Sequence, residues 1–175
     1  QIKRWHDEGF EKPVVTVNLS PSQFRDPGLV AFLGQTIAES GINARFLELE
    51  FNENVVINDF SSALNTLNAL RQLGVRLTID GFGTGHTNLQ YLKRLPVSRL
   101  KINPSFIHNI AQEANDSAIV RAILSMAQAF GISVVAKGVE TEAQAGHLRS
   151  LHCPVLQGHL FAEPAPAHAI TRLLG

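Results

Sequence analysis

The 175-residue sequence contains a single cysteine and no excess of charge of either sign. Because Cys153 has no second thiol in the chain with which to form an internal disulfide, we expect a reducing, cytoplasmic setting. Fifteen basic residues balance fifteen acidic ones, which argues against a nucleic-acid-binding face or a polybasic membrane anchor. No apolar run approaches the roughly 20 residues that a membrane-spanning helix needs.

Apolar side chains, in contrast, are abundant. Hydrophobic residues make up 45% of the chain and charged residues 17%, a composition typical of globular proteins and not of disordered ones. The chain shows no internal repeat, low-complexity tract or linker. We therefore predict a single domain over residues 1–175.

Short β-rich runs alternate with longer amphipathic patterns along the chain. The predicted strands are Val14–Leu19, Phe46–Asn52, Arg76–Phe82, Arg99–Asn103, Ser133–Val139 and Val155–Leu160. Helices are predicted from Pro27 to Ser40, from Asp59 to Leu73 and from Asp116 to Phe130, with a further helix capped by Thr141 and Gln144. Such alternation indicates βα units and a parallel sheet.

Each predicted strand carries a polar residue at or near its carboxyl end. These residues are Asn18, Glu50, Asp80, Lys101, Lys137 and Gln157. An open doubly wound sheet fits the alternation as well, but polar groups at the carboxyl ends of many strands favour a (β/α)8 TIM-like barrel. Only about six βα units are present, so we predict an incomplete α/β barrel whose first strand and helix lie upstream of Gln1.

Three of these side chains are oxygen donors expected to converge on one barrel mouth. Asn18, Glu50 and Asp80 carry only the amide and carboxylate oxygens that suit Mg²⁺ or Mn²⁺. The glycine-containing loop after Asp80 matches no phosphate-binding fingerprint. We interpret that loop as a plain turn that lets the backbone approach a ligand.

Five stretches, in order along nearly the whole chain, resemble the successive motifs of the EAL domain family. They read VTVNLSPSQFRDPGL, LELEFNEN, IDGFGTGHTNLQYLKRLPVSRLKINPSFI, VVAKGVETEAQ and LQGHLFAEPAP. That family comprises cyclic di-GMP-specific phosphodiesterases and their inactive relatives. The resemblance implies an EAL-type barrel and places the Glu-Ala-Leu motif itself before Gln1.

The resemblance also implies roles for individual residues. Asn18, Glu50 and Asp80 match metal ligands of the family, Asp80 being the first of its paired aspartates. Lys101 matches a lysine that orients the attacking water, and Glu53 matches a glutamate that holds the loop after the aspartates. The residues expected to contact a bound nucleotide are Asn18, Lys101, Lys137, Glu140, Gln157, Phe161 and Pro164.

Three positions depart from the family pattern. Gly81 replaces the second aspartate, Asn103 replaces an aspartate and Lys137 replaces a metal-ligand glutamate. These changes shift the site by about four charge units toward positive, whereas two metals about 3.5–4 Å apart need several carboxylates. We therefore expect the remaining metal ligands to be unoccupied, with Lys137 neutralising Glu50 or Asp80.

Together these observations predict a degenerate EAL domain that binds cyclic di-GMP without hydrolysing it. It would signal to a protein partner or flanking domain, or act as a homodimer, with no cofactor unless residual activity uses Mg²⁺ or Mn²⁺. A weakly active metal-dependent phosphodiesterase and a nucleotide-free interaction scaffold remain alternatives. The acidic and basic groups could equally form a structural salt-bridge cluster, Asn18 a turn cap and Gln157 a core amide.

Overall fold

The computed structural model describes residues 1–10, 13–57, 59–83 and 89–174. Its six strands form one parallel sheet in which each strand pairs with the next along the chain. They are β1 Val15–Asn18, β2 Leu47–Asn52, β3 Arg76–Phe82, β4 Arg99–Ile102, β5 Ser133–Lys137 and β6 Val155–Gln157. The sheet curls into an incomplete barrel with β1 and β6 at its edges, which confirms the predicted fold class.

Helices connect the strands. They are α1 Ile2–Asp7, α2 Pro21–Phe24, α3 Leu29–Ser40, α4 Asn54–Ile57, α5 Phe60–Gln72, α6 Leu89–Leu92, α7 Ser105–His108, α8 Ala114–Ala129, α9 Glu142–Ser150 and α10 Ala167–Leu174. Within the described ranges, none of these helices has the length and apolar character required to span a membrane.

Most predicted helix boundaries hold to within two residues, and side-chain caps explain them. The Asp59 carboxylate accepts the Ser62 N–H at the start of α5, and Thr141 and Gln144 form a reciprocal capping box on α9. The prediction that Pro27 begins a helix is wrong, because α3 begins at Leu29. The Asp26 carboxylate accepts the Gly28 N–H at 2.7 Å, and this local turn delays the helix.

The last two strands end earlier than predicted. β5 stops at Lys137 and β6 at Gln157, since the N–H groups of Gly138 and Val139 both donate to the Gln157 carbonyl, at 2.8 and 3.0 Å. One carbonyl therefore accepts two N–H groups at this point, and the regular ladder between β5 and β6 ends.

Side chains alternate between the two faces of the central strands, as strand geometry requires. Leu49, Phe51, Leu77, Ile79 and Leu100 are at most 1% exposed. Burying each such side chain contributes about 1.5–3 kcal/mol, so this apolar layer stabilises the sheet. Charged and polar residues occupy the alternate positions, and they form the polar face.

Candidate ligand-binding site

Ion pairs between strands that are separated by one intervening strand line the polar face near the carboxyl ends of the sheet. Lys137 on β5 donates to both carboxylate oxygens of Asp80 on β3, with N–O distances of 3.0 and 3.2 Å. Both side chains remain partly exposed, at 36% for the lysine and 25% for the aspartate. The sequence predicted that Lys137 would neutralise either Glu50 or Asp80, and in the structure its partner is Asp80.

Lys101 forms a second ion pair on the polar face. Its ammonium pairs with Glu50 on β2, and both side chains are almost fully buried. The lysine does not line the cleft described below, and its contact with a bound phosphate stays a prediction.

Gly81 lies in a bulge of β3. The β3–β4 register advances three residues from Ile79 to Phe82 on β3 but only two on β4. The backbone of Gly81 has φ of +72°, a left-handed conformation in which glycine has no Cβ penalty. The bulge lies directly after Asp80, the partner of Lys137, and an added Cβ at Gly81 would contact the side-chain nitrogens of Asn52 and Asn103.

Asn103 and Asn18 occupy two other predicted positions. The Asn103 side-chain oxygen accepts the Ser105 N–H at 2.9 Å, so this amide also shapes the turn after β4. Asn18 ends β1 opposite Glu50 in register, but it lines a separate groove of about 470 Å³ with Val17 and other residues. The role of Asn18 as a metal ligand stays a prediction.

A cleft of about 510 Å³ opens at the carboxyl ends of β5 and β6. It is lined by five residues that the sequence predicted to contact a ligand: Lys137, Glu140, Gln157, Phe161 and Pro164. Gln157 is exposed and is therefore not a core amide, and Phe161 is 50% exposed. A cleft of this size, with one lysine, the two carboxylates of Glu140 and Glu163 and an open aromatic ring, is of the kind that holds small ligands.

Close backbone packing forms one wall of this cleft. An added Cβ on Gly158 would overlap the carbonyl oxygen of Val139, and one on Gly138 would lie 2.9 Å from Pro104. Only glycine at residue 158 lets the two connections approach this closely. The cleft therefore depends on the LQGH segment as much as on its polar side chains.

Glu53 is buried, at 4% exposure, just beyond β2 and near Ile79 and Tyr91. The loop that it is expected to hold includes residues 84–88, which lie outside the described residues. Its role as a loop anchor stays a prediction.

Sequence reasoning missed a second cluster at the amino-terminal end of the sheet. The fully buried Glu48 carboxylate accepts from the Thr78 hydroxyl at 2.9 Å and from the Arg99 guanidinium at 2.8 and 3.1 Å. Alternation along β2 was the available signal, because Glu48 lies two residues before Glu50 and so faces the same side.

The donors of the described residues do not match a two-metal centre. Across the parts of the chain that the structure describes, no three His, Cys, Asp or Glu side chains are grouped so that they could hold a metal ion. Glu50 and Asp80 each already pair with a lysine. Gly81 and Asn103 supply no carboxylate that could balance about four positive charges.

A parallel, curled βα sheet with polar groups and a cleft at the carboxyl ends of its strands defines a barrel-type ligand-binding domain. The EAL domain family matches residues 1–164. The cyclic di-GMP phosphodiesterase NbdA of Pseudomonas aeruginosa is 40% identical over 173 residues, which cover 99% of this chain and 22% of that protein. The chain therefore belongs to the EAL domain family.

Solved structures agree with this assignment. The MucR phosphodiesterase of Pseudomonas aeruginosa in complex with cyclic di-GMP has a TM-score of 0.93 and 40% identity, covering 96% of this chain and 68% of that one. A manganese and cyclic di-GMP complex of BlrP1 from Klebsiella pneumoniae has a TM-score of 0.83 and 30% identity, covering 92% and 41%. This chain spans about a quarter or less of the length of the first curated relatives that it matches.

Proposed function

We propose that this chain is a cyclic di-GMP receptor domain that binds the dinucleotide without a metal and does not hydrolyse it. The observation that carries the proposal is the ion pair between Lys137 and Asp80, with a closest N–O distance of 3.0 Å. Two relatives that match along most of this chain have been solved with cyclic di-GMP, one of them with manganese. In this chain, an ammonium donates to the carboxylate oxygens that a divalent cation would need.

The same lysine favours an anionic ligand. Lys137 both lines the cleft and remains about one-third exposed, so its charge faces a space that a phosphate group can enter. A phosphate next to an ammonium gains a charge-assisted hydrogen bond, which is stronger than one between neutral groups. The change that removes a metal ligand therefore supplies a phosphate ligand.

The remainder of the cleft suits a guanine base. The Glu140 carboxylate offers acceptors for the N–H groups on the edge of guanine, and the exposed ring of Phe161 offers a stacking surface. Stacking of a base on an aromatic side chain contributes about 1–3 kcal/mol. Glu140, Phe161 and Lys137 can therefore recognise the base and the phosphate without a metal.

Calorimetric titration of cyclic di-GMP into the chain in excess EDTA tests this function, together with a hydrolysis assay in Mg²⁺ and in Mn²⁺. We expect saturable binding in EDTA and no hydrolysis with either metal. Hydrolysis would establish the weakly active phosphodiesterase instead. Absence of binding both in EDTA and with added metal would establish an interaction scaffold that has lost the nucleotide.

Two substitutions at Lys137 separate the receptor from the weak enzyme. The Lys137→Gln variant removes the ammonium alone, whereas Lys137→Glu also restores a carboxylate. For a receptor we expect both variants to bind more weakly in EDTA and neither to hydrolyse cyclic di-GMP, since Gly81 and Asn103 still supply no carboxylate. A rise in hydrolysis with Lys137→Glu alone would favour the enzyme.

We further infer that the domain acts in the cytoplasm and signals to a flanking domain, a protein partner or a second copy of itself. The much greater length of its relatives supports the first of these. Size-exclusion chromatography with and without cyclic di-GMP tests the last, because a ligand-dependent dimer elutes earlier.

A further inference from the structure

Two side-chain amides border the space over Gly81, which is wide enough for one heavy atom in van der Waals contact with both. An added Cβ at Gly81 would lie 3.6 Å from Nδ2 of Asn103 and 3.7 Å from Nδ2 of Asn52. Asn52 is the last residue of β2 and pairs in register with Asp80, while Asn103 directly follows β4. Strands on both sides of the β3 bulge therefore direct a nitrogen atom toward the same space, which we call the Gly81 hollow.

Hydrogen bonds to the backbone identify which end of each amide faces the hollow. The Asn52 side-chain oxygen accepts the Asn54 N–H at 3.0 Å, and the Asn103 side-chain oxygen accepts the Ser105 N–H at 2.9 Å. A backbone N–H can only donate, so these atoms must be oxygens and the atoms nearest Gly81 must be the NH₂ groups. Within the described ranges, neither NH₂ group has an acceptor.

The charges around the hollow also favour an anion over a cation. Asp80, the adjacent residue in the chain, is neutralised by the Lys137 ammonium. Residues 81 and 103 bring no carboxylate, so a cation would meet the positive ends of two amide dipoles. An anionic oxygen would instead accept from both NH₂ groups, and such charge-assisted bonds are the stronger kind.

The geometry points to an oxyanion site: the Gly81 hollow binds one phosphate oxygen of the ligand through the Asn52 and Asn103 amides, beside Lys137. This inference rests on the proposed function for the identity of the ligand, a phosphodiester of the cyclic dinucleotide. Glycine at residue 81 contributes by leaving the space open, because any side chain there would contact both amide nitrogens. The substitutions that remove carboxylates thus convert a cation-binding position into an anion-binding one.

The Asn103→Asp variant tests this site with little change of shape. Aspartate retains an oxygen for the Ser105 N–H but replaces the donating NH₂ by a second anionic oxygen. We expect its affinity for cyclic di-GMP in EDTA to fall at least about tenfold, since a hydrogen bond to a charged group is lost and a repulsion is gained. Asn52→Asp should give a loss in the same direction.

The matched control is Asn109→Asp, on the exposed residue that follows α7, which adds the same charge away from the hollow. We expect its affinity to change less than about twofold, because exposed charges at a distance are largely screened. Circular dichroism and urea unfolding would verify that each variant is folded. Unchanged affinity in folded Asn103→Asp and Asn52→Asp would overturn the oxyanion site even if the wild-type chain binds cyclic di-GMP.

Nuclear magnetic resonance separates this inference from the proposed function. The side-chain NH₂ signals of Asn52 and Asn103, assigned by substitution, are followed during titrations with cyclic di-GMP and, separately, with inorganic pyrophosphate. Shifts of both signals with either ligand support the site, and shifts with pyrophosphate alone support it while excluding the proposed nucleotide. Binding of cyclic di-GMP that leaves both signals unmoved would overturn the site but not the receptor, and absence of any response to both ligands would overturn both.

Discussion

The two ends of one sheet carry similar ion pairs in different surroundings. At the amino-terminal end, the Glu48 carboxylate has no exposed surface and accepts three hydrogen bonds, from Thr78 and Arg99. At the carboxyl end, Asp80 is one-quarter exposed and has Lys137 as its ion-pair partner. The Glu48 carboxylate belongs to the core, although Nε of Arg99 has no hydrogen-bond partner among the described residues, whereas the second pair has exposed faces that a ligand can reach.

The difference shows that charge on this polar face serves two purposes. A buried carboxylate must have its hydrogen bonds satisfied, and Glu48 meets that need with strands β3 and β4. Near the surface, water shares that task, so Asp80 and Lys137 can change partners at small cost. Four predictions test this contrast, from the largest expected effect to the smallest.

Removal of the buried carboxylate should have the largest effect on stability. We expect Glu48→Ala to lower the free energy of unfolding by about 3 kcal/mol, because the Arg99 guanidinium and the Thr78 hydroxyl lose their acceptor. Urea unfolding measures the change. The control is Glu142→Ala, which breaks the exposed 3.5 Å pair with Arg149 and should cost well under about 1 kcal/mol. Equal losses of stability in the two variants would contradict a larger structural contribution from the buried pair of Glu48 with Arg99.

The close approach of the backbone at the cleft gives the second effect. Gly158→Ala forces a methyl group into the Val139 carbonyl oxygen, and we expect a loss of about 1–3 kcal/mol together with weaker binding of cyclic di-GMP. Gly146→Ala is the control, since a Cβ at this exposed helical residue meets nothing within 4 Å. That variant should gain up to about 1 kcal/mol from helix propensity. A stable, tightly binding Gly158→Ala protein would contradict the proposed wall of the cleft.

The exposed ion pair should matter less to stability than the buried one. We expect Asp80→Asn to change the free energy of unfolding by less than about 1 kcal/mol, because partial exposure screens the pair and amide hydrogen bonds replace part of it. Urea unfolding beside Glu48→Ala gives the direct comparison. A loss as large as that of Glu48→Ala would show that both ends of the sheet are structural.

The smallest effect concerns a second buried group near the amino-terminal end, the Cys153 thiol that precedes β6. Burial raises the pKa of Cys153, although hydrogen bonds with the backbone of Val155 and Ala136 oppose that shift. Because the folded chain favours the thiol, its contribution to stability is present below the ordinary cysteine pKa of about 8.5 and is lost as pH rises through the raised value. Alkylation by iodoacetamide should therefore begin at higher pH in the native chain than in urea, and coincident profiles would contradict this.

Much of the fold could be predicted because it depends on local periodicity. All six strands lie within two or three residues of their predicted bounds, and the Asp59 and Thr141 caps hold. The misjudged start at Pro27 followed from a side-chain bond of Asp26 that competes with helix formation. β5 and β6 were predicted too long because the Gln157 carbonyl accepts two N–H groups from residues about 20 positions earlier, and such a contact leaves no local pattern in the sequence.

The site was predictable in its residues more than in its contacts. The three substituted positions were visible in the sequence, and five predicted contact residues do line one cleft. The pairing of Lys101 with Glu50 corresponds to the alternative of a structural salt-bridge cluster, and the role of Lys101 toward a ligand stays a prediction. No pattern in the sequence pointed to Asn52 as a binding residue. Its amide becomes notable only because the chain after β4 brings the Asn103 amide to the same space.

By itself, the sequence determined the family, the βα order and the replacement of carboxylates by Gly81, Asn103 and Lys137, since these depend on residue type and on spacing along the chain. Only the tertiary structure decided that Lys137 pairs with Asp80, that Lys101 pairs with Glu50 and that two amides converge on Gly81. The physical reason is register: the partner of an inward-facing side chain is set by strand pairing and by one bulge in β3, and neither follows from local spacing.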